Sequence, residues 1–356
     1  MQTLDPVRIA GEPYDVGYSL GVLAKPAFNA YLAQSSAWHV ISRWRGDVFV
    51  RALQDSAHMY FPDCMAELKG MAAGLDRSFE DIFLWNCRGE LLHNTPEGCT
   101  TIAAVNNNHC FIAHNEDGDP YLRDKCFLVD VQATGKPGFI SFYYPGSLPG
   151  HTFAVNRVGV VQTINNLRIV NPLLGVPRMM LCRAVLDAYS LDEATAIIQS
   201  TPRASGFHHM LGYTGGNRIL SIEATAQHCS IVPVTNVSGH ANHMIHGACA
   251  DETQIITDSS RDRQRRIDQL LAPLSHVADG DTLINLLHDQ APSGLPIYRD
   301  DPHDPDGENT LATALFNIQH DRLSLSVYQQ HKLTYTDWII SNNANRTAYG
   351  LLQENI

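Results

Sequence analysis

The 356-residue sequence has no Lys/Arg block. Its 25 basic residues face 37 acidic ones, for a net charge of −12. Nucleic acid and anionic membrane are therefore not expected partners. The densest basic stretch, Arg261-Asp262-Arg263-Gln264-Arg265-Arg266, reads as one solvated helix face or a set of ion-pair partners. No apolar run approaches the roughly 18 residues of a membrane span. The first residues, Met1 to Pro6, lack a basic n-region and an apolar h-region. Cysteines fall at 64, 87, 99, 110, 126, 182, 229 and 249 without a CxxC pair, so a zinc ribbon or thioredoxin-like site has no support. Internal repeats and low-complexity segments are missing too. The expectation is a soluble, cytoplasmic protein with reduced thiols.

Hydrophobic residues make up 44% and charged residues 17%, a globular composition with enough chain for a large core. Residues 14 to about 94 read mostly helical, with an apolar pattern that begins at Tyr18, Leu20, Val22, Leu23 and Ala27. Met65, Leu68, Met71, Ala72 and Leu75 recur at helical spacing, and Gly74 suggests a break. Ser78-Phe79-Glu80-Asp81 resembles a capping box, and Ser190 with Glu193 three residues on reads as a second helix cap. A turn-rich stretch from His93 to Gly98 closes this part. From Cys99 the pattern becomes strand-like, with helical pairs at 177–199 and 260–288 and strands at 311–328. Many hairpins and few βαβ units predict an α+β fold of antiparallel sheets with helices outside.

The sequence is organised around Gly98-Cys99-Thr100-Thr101 and the hairpin it opens. Thr100 to Val105 and Cys110 to Ala113 are apolar runs on either side of Asn106-Asn107-Asn108-His109, a turn by composition. If they pair about that turn, opposed numbers sum to about 215 and Cys99 faces roughly position 116. The bland reading is a surface hairpin with an incidental cysteine. The functional reading needs a base, because a free thiol titrates near ~8.5. No His stands at an obviously partnering place. A cut between Gly98 and Cys99 would supply one: the new α-amino group, with a pKa of roughly 7.7–8.0. Gly98 suits such a cut, since it has no Cβ to hinder close attack.

Gly98-Cys99-Thr100-Thr101, His114-Asn115-Glu116-Asp117-Gly118 and Ala241-Asn242-His243 together resemble the penicillin acyltransferase-like cysteine family. The likeness includes Gly11 to Gly17, Arg88-Gly89-Glu90-Leu91 and Tyr144 to Gly150. With Thr163-Ile164-Asn165, it is nearest the branch that hydrolyses β-alanyl amines. The resemblance implies a four-layer αββα sandwich of the N-terminal-nucleophile hydrolase type. It implies self-cleavage into a helical pro-segment, 1–98, and a catalytic part, 99–356, that stay together as one unit. It makes Cys99 the nucleophile, Asp117 the carboxylate near the new amino terminus and Asn242 the oxyanion-hole side chain, with Ala241 where the family has Thr. Asn165 or Asn166 becomes a second amide lining the site. The family's late polar or basic residue falls on Asn309 to Thr313, where Thr310 is nearest and no Arg stands. Asn115 and Glu116 are further candidates for lining the site, and Glu90, Glu116 or Asp119 for holding a substrate amine. The implied reaction is hydrolysis of a small-molecule amide through a thioester, with no cofactor and no metal. The alternative is acyl transfer from a thioester to an amine.

Two rivals come from other classes. His208-His209, His243-x-x-His246, Asp251 and Cys249 would serve a metalloenzyme, although Gly residues flank the His243 segment. A binding protein on the same fold would have lost activity, yet Asp117 and Asn242 are both present. Cys182 and Cys229 read as small core residues.

Overall fold

The computed structural model describes residues 4–92, 98–106, 109–216, 218–274, 279–291 and 294–340. The expected turns at 93–97 and 107–108 lie outside them. Two sheets make up the strand structure. One has eight strands: β1 (Val7–Gly11), β4 (Phe127–Ala133), β5 (Phe139–Tyr143), β6 (Phe153–Asn156), β7 (Val160–Asn166), β8 (Phe207–Tyr213), β9 (Ile219–Ala224) and β10 (Cys229–Pro233), in that spatial order. The other has six, in the order β11 (Val237–His240), β2 (Cys99–Val105), β3 (Cys110–Gly118), β12 (Asn309–Ile318), β13 (Leu323–Gln329) and β14 (Lys332–Ile340). Among the described strands, only the β1–β4 pairing is parallel.

Alternation along each strand sorts side chains between two apolar layers. One face of each sheet meets the other sheet: Phe153 of β6 stands edge-on to Phe316 of β12, ring centroids 6.4 Å apart. The outer faces are covered by helices. Ile102, Ala104, Phe111 and Ala113 pack under helices Asp258–Leu271 and Gly280–Leu287 through Ile267, Leu271, Leu283 and Leu287. Leu211, Leu220 and Ile222 pack under helices Arg178–Val185 and Leu191–Ser200 through Val185, Leu191, Ala194 and Ile198. The expected order helix, sheet, sheet, helix is therefore what the chain adopts.

The N-terminal region is tied to this sandwich. β1 forms the edge of the eight-stranded sheet. Helix Pro62–Leu75 places Glu67 against Arg183 of the next layer, with N···O 2.6 Å and both side chains buried. Caps were legible: Ser78 Oγ accepts from Asp81 N, and Ser190 Oγ from Glu193 N. Gly74 stands one residue before the end of its helix, near the expected C-terminal break, but is not itself the cap. It lies inside Pro62–Leu75, which ends at the left-handed Asp76 (φ 59°). Gly74 faces helix Pro13–Leu32, where Gly17, Gly21 and Gly70 join it at the crossing. A Cβ on Gly17 would lie 1.8 Å from Glu67 O, and one on Gly70 1.9 Å from Tyr14 O. Tyr18 and Val22 of that helix, expected in its apolar pattern, are exposed. Strands β1, β11 and β14 were not anticipated; each is at a sheet edge.

None of the eight cysteines forms a disulfide. Among the described residues, no helix is long and apolar enough to cross a membrane.

The backbone contact at the crossing sets a test. Gly17→Ala should destabilise the protein by about 3 kcal/mol, because main chain cannot step aside as a side-chain tip can. Gly216→Ala, whose Cβ meets nothing within 4 Å, should be near neutral. Equilibrium urea unfolding of the two variants measures the difference.

Candidate active site

Sheet register assembles the site. In the β2–β3 hairpin Cys99 pairs with Glu116, the predicted sum of 215. β11 pairs His240 with Thr101, and two residues further that register brings Asn242 level with Cys99. On the other side β12 pairs Thr310 with Asp117. Residues distant in sequence thus come to one level of one sheet edge.

The backbone at Gly98–Cys99 is held at three points. Cys99 N donates to Asn242 Oδ1 at 2.9 Å. Cys99 O accepts from Arg263 Nη1 at 2.6 Å. Gly98 O accepts from Asp117 N at 2.9 Å. Arg263 also donates to Thr100 Oγ1 at 2.9 Å and to Asn242 Oδ1 at 2.7 Å. Its guanidinium is fully buried, so it is not part of a solvated face. Arg261 and Arg265 are the exposed members of that run, paired with Asp258 and Asp262, while Arg266 bonds Asp289. Arg263 is a site residue that the sequence reading missed. Helical spacing was its only available signal, since 263 shares the inward stripe with Ile267.

Asn242 has a fixed amide orientation. Its Oδ1 takes two donors, and its Nδ2 donates to Asn166 O at 3.1 Å. Nδ2 carries a second hydrogen as well. The loop bearing it is anchored by Glu223, whose Oε1 accepts from His240 Nε2 at 3.0 Å and Ile245 N at 2.6 Å.

Asp117 points to the helix-covered side. Its Oδ1 accepts from Thr310 Oγ1 at 2.7 Å, and its Oδ2 has no hydrogen-bond partner among the described residues. Burial pushes its pKa up, and Arg263, Arg299 and Thr310 pull against that. Thr310 was the expected late residue, and no Arg was expected beside it. Arg299, fully buried and hydrogen-bonded to Glu308 and Ser259, supplies a guanidinium there. Glu308 abuts Gly98: a Cβ on Gly98 would lie 2.4 Å from Glu308 Oε2. Burial pushes the Glu308 carboxyl up to about 7 despite Arg299, Arg168 and Arg263.

The Cys99 side chain lies on the opposite, inter-sheet face, together with Glu116 and His114. Cys99 Sγ is 3.9 Å from Glu116 Oε2, which is 3.1 Å from His114 Nε2. So a His does stand near the thiol, contrary to expectation. Strand alternation carried the signal: 114 and 116 share a face, and 116 opposes 99. Among the described residues this is the one thiol, imidazole and carboxylate set mutually within 4.8 Å. The 3.1 Å spacing is a hydrogen-bond distance, shorter than the roughly 3.4 Å edge of a tetrahedral zinc site.

The remaining candidates divide. Asn115 points away from Cys99, donating to Leu287 O at 2.7 Å and accepting from Thr313. Asn165 faces the inter-sheet side but bonds Thr101, His208 and His240 O. Asn166 offers its carbonyl to Asn242, while its side chain accepts from Arg178 Nη1 at 2.6 Å. Arg178 is in turn held by Glu90 Oε1, which accepts from its backbone N at 2.9 Å. Glu90 is therefore a buttress, with burial pushing its carboxyl up to about 7. Asp119 caps a short 3-10 turn through Tyr121 N. The proposed metal histidines hydrogen-bond elsewhere: His208 to Ser221 and Asn165, His209 to Gln162, His243 to Ser260, and His246 to Ser221 and Ser230. Asp251 is exposed. Burial pushes the Cys249 thiol up to about 12 and raises the Cys182 thiol well above its ordinary range; Cys229 is only half-buried.

Comparison with known proteins bears on this geometry. A family model described as acyl-coenzyme A:6-aminopenicillanic acid acyl-transferase matches residues 105–332. A beta-alanyl-dopamine/carcinine hydrolase of Drosophila melanogaster is 27% identical over 230 residues, 56% of this chain and 58% of the relative. An acyl-coenzyme A:6-aminopenicillanic-acid-acyltransferase 40 kDa form of Emericella nidulans is 24% identical over 280 residues, 75% of this chain and 77% of the relative. The chain thus spans somewhat over half the length of the fly protein.

Two measurements follow from the buried charges. Arg263→Met should cost about 3 kcal/mol or more, since it strands buried acceptors and acids. Arg263→Lys should recover only part, because an ammonium cannot span the three acceptors as a planar fork does; urea unfolding reads both. His209 is held neutral by burial, its pKa lowered to about 3. A depressed pKa gives stability that is present above the unfolded value near 6.5 and lost as pH falls toward the folded one. His209→Gln should therefore flatten the fall in stability between about pH 6.5 and 4, by up to about 1.4 kcal/mol per pH unit.

Proposed function

The family match takes in more than half of the chain, so the protein belongs to the acyl-coenzyme A:6-aminopenicillanic acid acyl-transferase family, and from that premise we propose that it is a self-processing cysteine amidohydrolase of small N-acyl amines. The observation that carries this reading is the clamping of both peptide groups at Gly98–Cys99 by Asn242, Arg263 and the Asp117 N–H.

In the uncut chain Cys99 Sγ attacks the Gly98 carbonyl carbon. The Asp117 N–H already bonded to Gly98 O receives the oxyanion. The thiol proton passes to the Cys99 nitrogen as the Gly98 C–N bond breaks, which leaves the acyl group on sulfur and frees the α-amine, and water then hydrolyses the thioester to the Gly98 carboxylic acid and the thiol. A Cβ on Gly98 would press on Glu308 Oε2, a side-chain tip that Arg299 holds in place, so glycine leaves that ion pair undisturbed. The cut leaves Cys99 with an α-amino group still against Asn242 Oδ1. Arg263 donates to the same oxygen, and a neighbouring cation favours the neutral amine, the form that acts as base. Asp117 Oδ2, a buried acceptor, offsets the ammonium when it forms.

Turnover then repeats the chemistry on a substrate. The amine takes the thiol proton, sulfur forms the thioester, and the second Asn242 Nδ2 hydrogen serves the oxyanion. Residues 1–98 remain as the partner of 99–356, since β1 stays paired with β4 and Glu67 with Arg183. The fly relative's name makes β-alanyl amines the first substrates to try. Acyl transfer to an amine is the second reading, favoured by the wider span of the Emericella match. Hydrolysis is preferred because a transferase must exclude water from the thioester.

Denatured intact-mass spectra of wild type and Cys99→Ala test the proposal. Wild type should give two pieces meeting at Gly98/Cys99, and the variant one full-length mass. Gly98→Ala should slow the cut at least tenfold. A single uncut wild-type mass that persists on incubation removes the proposed base and overturns the reading.

A further inference from the structure

Two buried side chains beside Cys99, His114 and Glu116, take no part in the amine-based chemistry. Their hydrogen bonds fix where one proton lies. Asn165 Nδ2 donates to His240 O at 3.1 Å, so Asn165 Oδ1 is the acceptor facing Thr101 at 2.7 Å. The single Thr101 hydroxyl hydrogen goes to that oxygen. Thr101 Oγ1 therefore accepts from His114 Nδ1, 2.8 Å away. His114 and Glu116 are both buried, and burial lowers the His114 pKa to about 3, which favours the neutral ring with a bare Nε2. That lone pair faces Glu116 Oε2 at 3.1 Å. Two lone pairs do not hold that distance without a hydrogen between them, and the carboxyl group must carry it.

We infer that His114 holds Glu116 as a neutral carboxylic acid at neutral pH, and that Glu116 is the general acid for the departing amine. Glu116 Oε2 lies 3.9 Å from Cys99 Sγ, within reach of a nitrogen on the carbon that sulfur attacks. The inference rests on the N-terminal-cysteine reading, and the protons balance within it. During acylation the Cys99 α-amine takes the thiol proton and the S–C bond forms. The C–N bond then breaks, and the amine nitrogen takes the Glu116 proton. The carboxylate left behind is balanced by the α-ammonium made in the same step. During deacylation water adds to the thioester and gives a proton to Glu116. The S–C bond breaks and sulfur takes its proton back from the ammonium. A neutral Glu116 also leaves the thiolate unopposed. Among the described residues, the other titratable groups facing this place are Tyr144, from the loop after β5, whose hydroxyl interacts with Glu116, and Cys126, ahead of β4; burial raises both well above their ordinary range. Arg263 is the cation on the helix side.

Thiolate absorbance against pH tests this, with wild type and Glu116→Gln each referenced to its Cys99→Ser counterpart. A neutral acid predicts nearly the same midpoint in both proteins, with kcat for an amide lowered by about 10²-fold or more and the alkaline limb of its pH profile lost. A carboxylate would instead oppose the thiolate, so its removal would drop the midpoint by about one unit or more and overturn the inference. Masses of the same samples report the cut separately. An uncut wild type fails the broader reading, and a cut one with a falling midpoint fails only this inference. Should Glu116→Gln not fold, nitrogen NMR of histidine-labelled wild type decides, with His114 assigned by its loss in His114→Gln. A neutral ring protonated at Nδ1 supports the assignment, and an imidazolium at pH 7 overturns it.

Discussion

The Arg263 guanidinium is the interaction on which the site depends. It is fully buried, and it gathers Cys99 O, Thr100 Oγ1 and Asn242 Oδ1 into one fork. A buried cation is costly unless its hydrogens are used and its charge is met. Both conditions explain neighbours that otherwise look unrelated. Ser259 Oγ takes its Nε–H, and Asp117 and Glu308 supply negative charge nearby. Arg299 shares Ser259 and Glu308 with it, so the charges form one network. Such a network is stiff because no member can leave without stranding another.

That stiffness extends back to the N-terminal region. Glu90 holds Arg178, Arg178 holds Asn166, and the Asn166 carbonyl holds the Asn242 amide that meets Cys99. The Arg88-Gly89-Glu90-Leu91 motif is therefore part of the support of the site. Gly89 fits because its missing Cβ leaves room for the Arg178 guanidinium. An account of residues 1–98 as a detachable helical segment would miss both this relay and β1.

How much of this was legible follows from range. The hairpin was readable because its register is set locally, by a turn and a period of two. The capping serines were readable for the same reason. The αββα layering came from counting hairpins and from the family's motifs. Arg263, Arg299 and Glu308 were not readable, because Arg263 and Glu308 reach Cys99 and Gly98, and Arg299 reaches Glu308, only after segments distant in sequence are packed together. The basic run misled because charge density describes an exposed face well and a single inward residue badly. His114 was a nearer miss: the alternation that faced Cys99 with Glu116 put His114 beside them, but only if the whole strand was followed inward.

Alternation also explains why these groups coexist. Successive side chains of a strand leave on opposite faces. Cys99, His114 and Glu116 lie on the inter-sheet side, where hydrogen bonds run through Thr101 and Asn165 and burial lowers the imidazole pKa to about 3. Thr100 and Asp117 lie on the helix side with the guanidinium groups. With Glu116 neutral, as inferred above, the sheet separates a charged compartment from a neutral one by the thickness of a backbone. Cys99 is the residue at which they meet, its sulfur on the neutral side and its carbonyl on the charged side. A thiol placed among the arginines would be held permanently as a thiolate, and an amine placed among neutral groups would lose the neighbouring cation that keeps it a base. Dividing one residue between the two faces gives each group the surroundings its role in the proposed chemistry requires.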